Sequence, residues 1–172
     1  LLERLLNDAV CLGYQDFEQD IIAGNVDKLK VYGYECDSYS FTIDSLKSYY
    51  EANMNLLNQE IKDSLFVEDR PIYTKVHDDM PSVYFPGSNV KNSLIADGCK
   101  IEGEVENCVF FRRVSVAKGA KLKDCIIMQG SYIGEGAQLN CVITDKNAVI
   151  KPGKVLSGDK SYPFFVGKGI VI

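Results

Sequence analysis

The feature that most constrains this chain is a short apolar pattern that returns four times between residues 90 and 155. The copies begin Val90-Lys-Asn-Ser-Leu-Ile95, Val105-Glu-Asn-Cys-Val-Phe110, Leu122-Lys-Asp-Cys-Ile-Ile127 and Leu139-Asn-Cys-Val-Ile143. Their small residues, Ser93, Cys108, Cys125 and Cys141, step by 15, 17 and 16 residues and read as one column at a tight corner. Turns with an apolar residue on either side, six apart, follow each start. Three carry Gly98, Gly119 and Gly136, and a degenerate fourth carries Asn147 in the glycine's place. A fixed period marks a repeat architecture, and a six-residue sub-period with about three sub-periods per coil fits a parallel β-helix.

Physical reasons support that reading. Glycine tolerates the positive φ of a sharp turn, and asparagine does so at modest steric cost. One coil cannot bury its own apolar face, so neighbours must stack. Within the repeat no apolar residues fall at helical spacing, which argues against helical repeats.

A length of 172 residues allows one or two small domains. The formal net charge of −5 gives no reason to expect nucleic acid or an anionic membrane as partner. No apolar run approaches the ~18 residues of a transmembrane helix. The chain opens Leu1-Leu2-Glu3-Arg4 without a signal pattern or initiator Met, so a piece of a longer protein is expected. The six cysteines include no C-x-x-C pair. Four alternate with aliphatics inside the repeat, where a thiol acts as a small buried hydrophobe. A reducing, cytoplasmic setting is therefore expected.

Ahead of the repeat, Leu2, Leu5, Leu6, Ala9 and Leu12 share one face of a helix over residues 1–13, stopped by Gly13. Lys28 to Glu35 reads as a strand. Thr42 is the expected N-cap of a second helix over 43–57, and 58–65 either extends it or turns. The expected division is 1–57, a connector over 58–80, and the β-helix over 81–172, with a junction between about 58 and 85. The apolar tail from Lys154 onward adds a last strand or caps the open end, since terminal repeats are atypical.

Chemistry has few candidates. His77, the one histidine, sits in a polar connector. Asp78-Asp79 and Glu102 with Glu104 read as solvated turn charges. Arg112-Arg113 is sharper: two adjacent cations suit a phosphate or other anionic effector, the alternative being one exposed arginine and one packed on Phe110 or Phe111. Phe110, Phe111, Phe164 and Phe165 are candidate interface residues, with core burial the alternative.

Several stretches resemble bacterial glucose-1-phosphate adenylyltransferase, or ADP-glucose pyrophosphorylase. They are Thr42-Ile-Asp-Ser45, Tyr50-Glu-Ala-Asn-Met-Asn-Leu-Leu57, Arg70-Pro-Ile-Tyr-Thr74, Asn92-Ser-Leu-Ile-Ala-Asp-Gly-Cys99 and Asp145-Lys-Asn-Ala-Val-Ile-Lys-Pro-Gly153. The resemblance implies a left-handed parallel β-helix of hexapeptide repeats, preceded by helices and a strand left from an α/β nucleotidyltransferase domain. Catalytic members of the family bind Mg²⁺ through an aspartate in a Tyr-Trp-x-Asp-(Val/Ile)-Gly-Thr segment. Here that stretch is Asp37-Ser-Tyr-Ser-Phe-Thr42, with Phe41 in the glycine's place and Asp37 displaced. Three residues separate Ser45 from Tyr49 where the catalytic pattern runs on directly. The family's Asp-Phe-Gly-Lys-Asp-Ile segment appears as Asp16-Phe-Glu-Gln-Asp-Ile21, without the glycine or lysine. Nucleotidyl transfer works by positioning and by metal neutralisation of phosphate charge, so losing a Mg²⁺ ligand is costly.

The pattern therefore resembles the family's non-catalytic, GlgD-type regulatory subunit, with no cofactor expected in this stretch. Its implied partner is the catalytic subunit, in a homo- or hetero-tetramer, with an effector site between the domains for a sugar phosphate or nucleotide. The rivals are an active pyrophosphorylase whose Asp37 holds the metal, another sugar-1-phosphate nucleotidyltransferase, a hexapeptide acyltransferase, and a pure oligomerisation module. Hexapeptide acyltransferases generally rely on a catalytic histidine, and none lies in this repeat.

Overall fold

A strand of two residues has too few hydrogen bonds to stand alone, so strands this short persist only by stacking in register. A computed structural model describes residues 1–36, 38–74 and 78–172. Its stacked strands form three parallel sheets of five. Sheet A holds β1 (Val83–Tyr84), β4 (Lys100–Ile101), β7 (Ser115–Val116), β10 (Tyr132–Ile133) and β13 (Val149–Ile150). Sheet B holds β2 (Asn89–Lys91), β5 (Glu104–Glu106), β8 (Lys121–Lys123), β11 (Gln138–Asn140) and β14 (Val155–Ser157). Sheet C holds β3 (Leu94–Ile95), β6 (Val109–Phe110), β9 (Ile126–Ile127), β12 (Val142–Thr144) and β15 (Phe164–Val166). The chain visits A, B and C in turn, which is the expected parallel β-helix. Ile101, Val116, Ile133 and Ile150 of sheet A, Val105, Leu122 and Leu139 of sheet B, and Phe110, Ile127 and Val166 of sheet C fill its interior. Burying each such side chain stabilises by about 1.5–3 kcal/mol.

The expected single set of turns is in fact two corners. Gly98, Arg113, Gly130, Asn147 and Gly169 stack between sheets C and A, all at positive φ. Gly119, Gly136 and Gly153 stack between sheets A and B, and Gly87 turns the same corner in the first row. Both corners place apolar residues six apart around the turn, so the spacing alone does not separate them. The 15-residue step has a local cause: only Glu102 and Gly103 join β4 to β5, where later rows use four residues. A Cβ at Gly103 would run into the Ala120 carbonyl oxygen, so the tight passage requires glycine.

Two compact units divide the chain, residues 1–37 and residues 38–172. In the first, α1 (Leu2–Leu12) ends at Gly13, whose φ of 72° turns the chain so that Tyr14 N–H donates back to the Ala9 carbonyl at 3.0 Å. Of its apolar face only Ala9 is buried. A π-helical turn, Phe17–Ile22, follows, capped by Asp16, whose carboxylate accepts from Gln19 N–H at 2.7 Å. The strand expected over 28–35 does not form: Tyr32 and Tyr34 are exposed, and among the described residues no strand runs alongside to take its hydrogen bonds.

In the second unit the helix α2 runs from Leu46 to Asn55 and is capped by Ser45, not by Thr42. Ser45 Oγ accepts from Ser48 N–H at 3.1 Å, and Ser48 Oγ accepts from Ser45 N–H at 2.9 Å. This reciprocal box fixes the start three residues later than expected. A separate helix α3 (Gln59–Leu65) begins at Asn58. The segment expected to belong with the nucleotidyltransferase remnant, α2, packs on sheet C of the β-helix. The tail supplies β14 and β15, and Val171 bridges to Val149.

Candidate functional site

The B-to-C corner is built from two neighbouring columns. In the first, Ser93 Oγ donates to the Lys91 carbonyl and accepts from Cys108 N–H at 3.0 Å. Cys108 Sγ donates to the Glu106 carbonyl and accepts from Cys125 N–H at 3.4 Å. Cys125 Sγ donates to the Lys123 carbonyl, and Val142 N–H turns toward it in the next row. These side chains satisfy backbone groups from row to row, which explains why they are small and bear a donor-acceptor atom. Burial pushes the Cys125 thiol well up, away from thiolate chemistry.

Cys141 does not stand in this column. The register of Asn140 with Lys123 and of Ile143 with Ile126 puts Val142 there instead. Cys141 falls in the adjacent column with Asn92, Asn107 and Asp124, all at positive φ. Register, set by the inward residues, overrides residue size.

Helix α2 lies over the outer side of sheet C. Tyr50 packs on Val109, Ile126 and Ile143, with Tyr49, Met54, Leu57 and Leu94 around it. The Tyr50 hydroxyl donates to the Asp124 carbonyl at 2.9 Å and touches Cys141 Sγ at 3.8 Å. Burial pushes this phenol far above its ordinary range. Lys160 reaches the carboxylate of Asp124 at 4.0 Å. Tyr50 was read only as part of a core stripe. A signal for its partner existed: the strands of sheet C are apolar at consecutive positions, which a strand needs only when both faces are covered.

The two arginines of the C-to-A corner do not act as a pair. Arg113 holds the turn at φ 59°, and its Nε and Nη2 both lie 2.6 Å from Asp79 Oδ1. The Asp79 side chain is only 9% exposed. Arg113 is thus occupied by a carboxylate within its own unit while its side chain stays exposed. Arg112 is half-buried and has no ion pair among the described residues. Asp79 was read as a solvated turn charge, because nothing in the sequence shows that residue 79 meets residue 113.

Phe110 is in the interior and belongs to no surface. Phe111, Phe164 and Phe165 are part-exposed, and Phe165 continues the outward column of sheet C beyond Ile143. His77 and Asp37 lie outside the described residues. Among the described residues no three His, Cys, Asp or Glu side chains gather as a metal ion would use. Nor is any described helix long and apolar enough to cross a membrane.

Comparison with known proteins bears on this arrangement. A family model described as "GlmU-like, C-terminal hexapeptide" matches residues 83–163, the span of the stacked strands. Glycogen biosynthesis protein GlgD of Bacillus subtilis (strain 168) is 43% identical over 171 residues, covering 99% of this chain and 50% of that protein. GlgD of Geobacillus stearothermophilus is 44% identical over 120 residues, 70% of this chain and 35% of that protein. Glucose-1-phosphate adenylyltransferase of Bacillus cytotoxicus is 32% identical over 147 residues, 85% of this chain and 39% of that protein. The chain therefore spans half or less of the length of these relatives.

Proposed function

The chain belongs to the family of the glycogen biosynthesis protein GlgD, related to the C-terminal region of glucose-1-phosphate adenylyltransferase, and from that premise we propose that it is part of a regulatory, non-catalytic subunit of that enzyme. The reaction it would modulate joins ATP and glucose-1-phosphate into ADP-glucose and pyrophosphate. The observation that carries the reading is the 43% identity to GlgD across 99% of the chain, set against 32% to an adenylyltransferase across 85%. The replacement of the catalytic pattern before Thr42 supports it.

In this reading the β-helix serves assembly with a catalytic adenylyltransferase subunit in a tetramer. Coupling would pass through α2, whose seat on sheet C ties the segment before the β-helix to the stacked strands. Arg112 is the cation this reading keeps for a sugar-phosphate or nucleotide effector. The cytoplasm is the proposed setting, where the buried thiols at 99, 108, 125 and 141 stay reduced.

The test is pyrophosphate release from ATP and glucose-1-phosphate with Mg²⁺. The full-length protein is assayed alone and then mixed with the catalytic subunit. The expected result is no turnover alone and a changed rate or substrate affinity in the mixture. Robust turnover alone would overturn the reading in favour of an active pyrophosphorylase.

A further inference from the structure

Sheet B presents a largely polar outer side. Its outward residues run, row by row, Asn89 with Lys91, Glu104 with Glu106, Lys121 with Lys123, Gln138 with Asn140, and Val155 with Ser157. They border, with Val155 and Ser157, a shallow depression of about 460 Å³. Within the chain Lys121 Nζ lies 3.3 Å from Glu104, and Lys123 Nζ lies 3.9 Å from Glu106. These four side chains stay between 51% and 61% exposed, so each carboxylate and ammonium retains open positions for a second partner.

The signs of the central rows are antisymmetric about the midpoint between β5 and β8. A two-fold axis lying in the face, parallel to the strands at that midpoint, sets Glu104 against Lys121 of a second copy and Glu106 against its Lys123. The reciprocal pairs follow by symmetry, as an isologous contact requires. Each charge then has two opposite neighbours, one in its own chain and one across, in an alternating square. The flanking rows match as well, with Asn89 facing Gln138 and Lys91 facing Asn140, while the fifth row, Val155 with Ser157, overhangs without a counterpart. A two-fold along the β-helix axis through the middle of the face would instead set Glu104 on Glu106 and Lys121 on Lys123 of the second copy, so the same residues that favour the antiparallel arrangement penalise the parallel one.

We propose that the outer side of sheet B is a two-fold contact between antiparallel copies of this chain, with its register set by Glu104, Glu106, Lys121 and Lys123. The proposal rests on the assembly role above and names its surface and arrangement. The four overlapping strands, about 4.8 Å apart and three residues wide, cover only about 200 Å². A stable dimer buries roughly 800 Å² per partner. The contact therefore orients two copies and is weak by itself, so it is measured at high chain concentration and low salt.

Light and heavy-isotope chains are mixed and treated with a zero-length carbodiimide cross-linker. The expected products include peptides joining Glu104 of one isotope to Lys121 of the other, with their yield falling as salt is raised. In sedimentation, K121E/K123E should weaken association by at least about tenfold, and E104K/E106K/K121E/K123E should restore it. Thermal melts check that each variant folds. Cross-links confined to single-isotope pairs at every concentration would overturn the proposal, as would association unmoved by the double reversal. Either failure leaves the regulatory reading standing if the full-length protein still alters the catalytic subunit's rate.

Discussion

Cys141 holds a backbone conformation that the rest of its column leaves to asparagine and aspartate. Its φ of 50° matches the 42° to 51° of Asn92, Asn107 and Asp124, but cysteine lacks the short polar group that makes this region tolerable. Cys141→Asn should therefore stabilise by roughly 0.5–1 kcal/mol, read from the denaturant midpoint at unchanged slope. A loss of stability would mean that its contact with Tyr50 outweighs the backbone strain. The groups around it also set an alkaline limit. Burial raises both the Cys125 thiol and the Tyr50 phenol. In the unfolded chain these lose their protons from about pH 8.5 and about pH 10. Above those values the unfolded state binds fewer protons than the folded state, so stability falls as pH rises. Cys125→Ser keeps the donor and acceptor of the column and should reduce the earlier part of that fall, leaving the share of the Cys99 thiol, which burial also raises. Tyr50→Phe should remove the later part while costing about 1 kcal/mol at neutral pH for the lost hydrogen bond. Melting temperature against pH for the three proteins checks this.

At the scale of elements, α2 depends on its cap. Ser45 and Ser48 satisfy each other's backbone N–H, and Ser48 also donates to Asp44, holding that carboxyl below its usual range. Ser45→Ala should cost about 1 kcal/mol and speed amide exchange in Leu46–Asn55 ahead of the β-helix. This start was hard to see in the sequence because Ser48 stands where the usual box has Glu or Gln, so Thr42 looked equally good. Other misreadings have similar physical causes. Lys28 to Glu35 alternates like a strand, but alternation does not provide a neighbour. Gly98 and Gly119 share one spacing while turning different corners. Cys141 was grouped by size when register placed it one residue away. The stacked strands themselves were legible, because inward apolar residues must recur at the period of the coil. Contacts across long separations, Arg113 with Asp79 and Tyr50 with Asp124, left no such periodic trace.

At the scale of the whole molecule, the β-helix is not self-sufficient on all three sides. In sheets A and B the central strands β4 and β7, and β2, β5, β8 and β11, alternate polar and apolar, as strands with one face in solvent do. Sheet C instead turns Leu94, Val109, Ile126 and Ile143 outward, and Ile126 and Ile143 are 0% exposed because α2 covers them. Removing residues 1–66 takes away that cover and leaves the interior from Ile101 to Val166 untouched. The shortened chain should keep its β-type circular dichroism. It should also bind a hydrophobic dye and associate, since an uncovered apolar stripe along several strands is an interaction surface. Ile126→Thr with Ile143→Thr should return it to a dispersed, dye-silent state, because threonine suits a solvent-facing strand position. In the full chain Tyr50→Ala should give a weaker form of the same behaviour, since Met54 and Leu57 still cover part of the stripe. A shortened chain that stays monomeric and dye-silent without the threonines would show that α2 is not a needed cover. The doubled apolar strands of sheet C would then require another explanation.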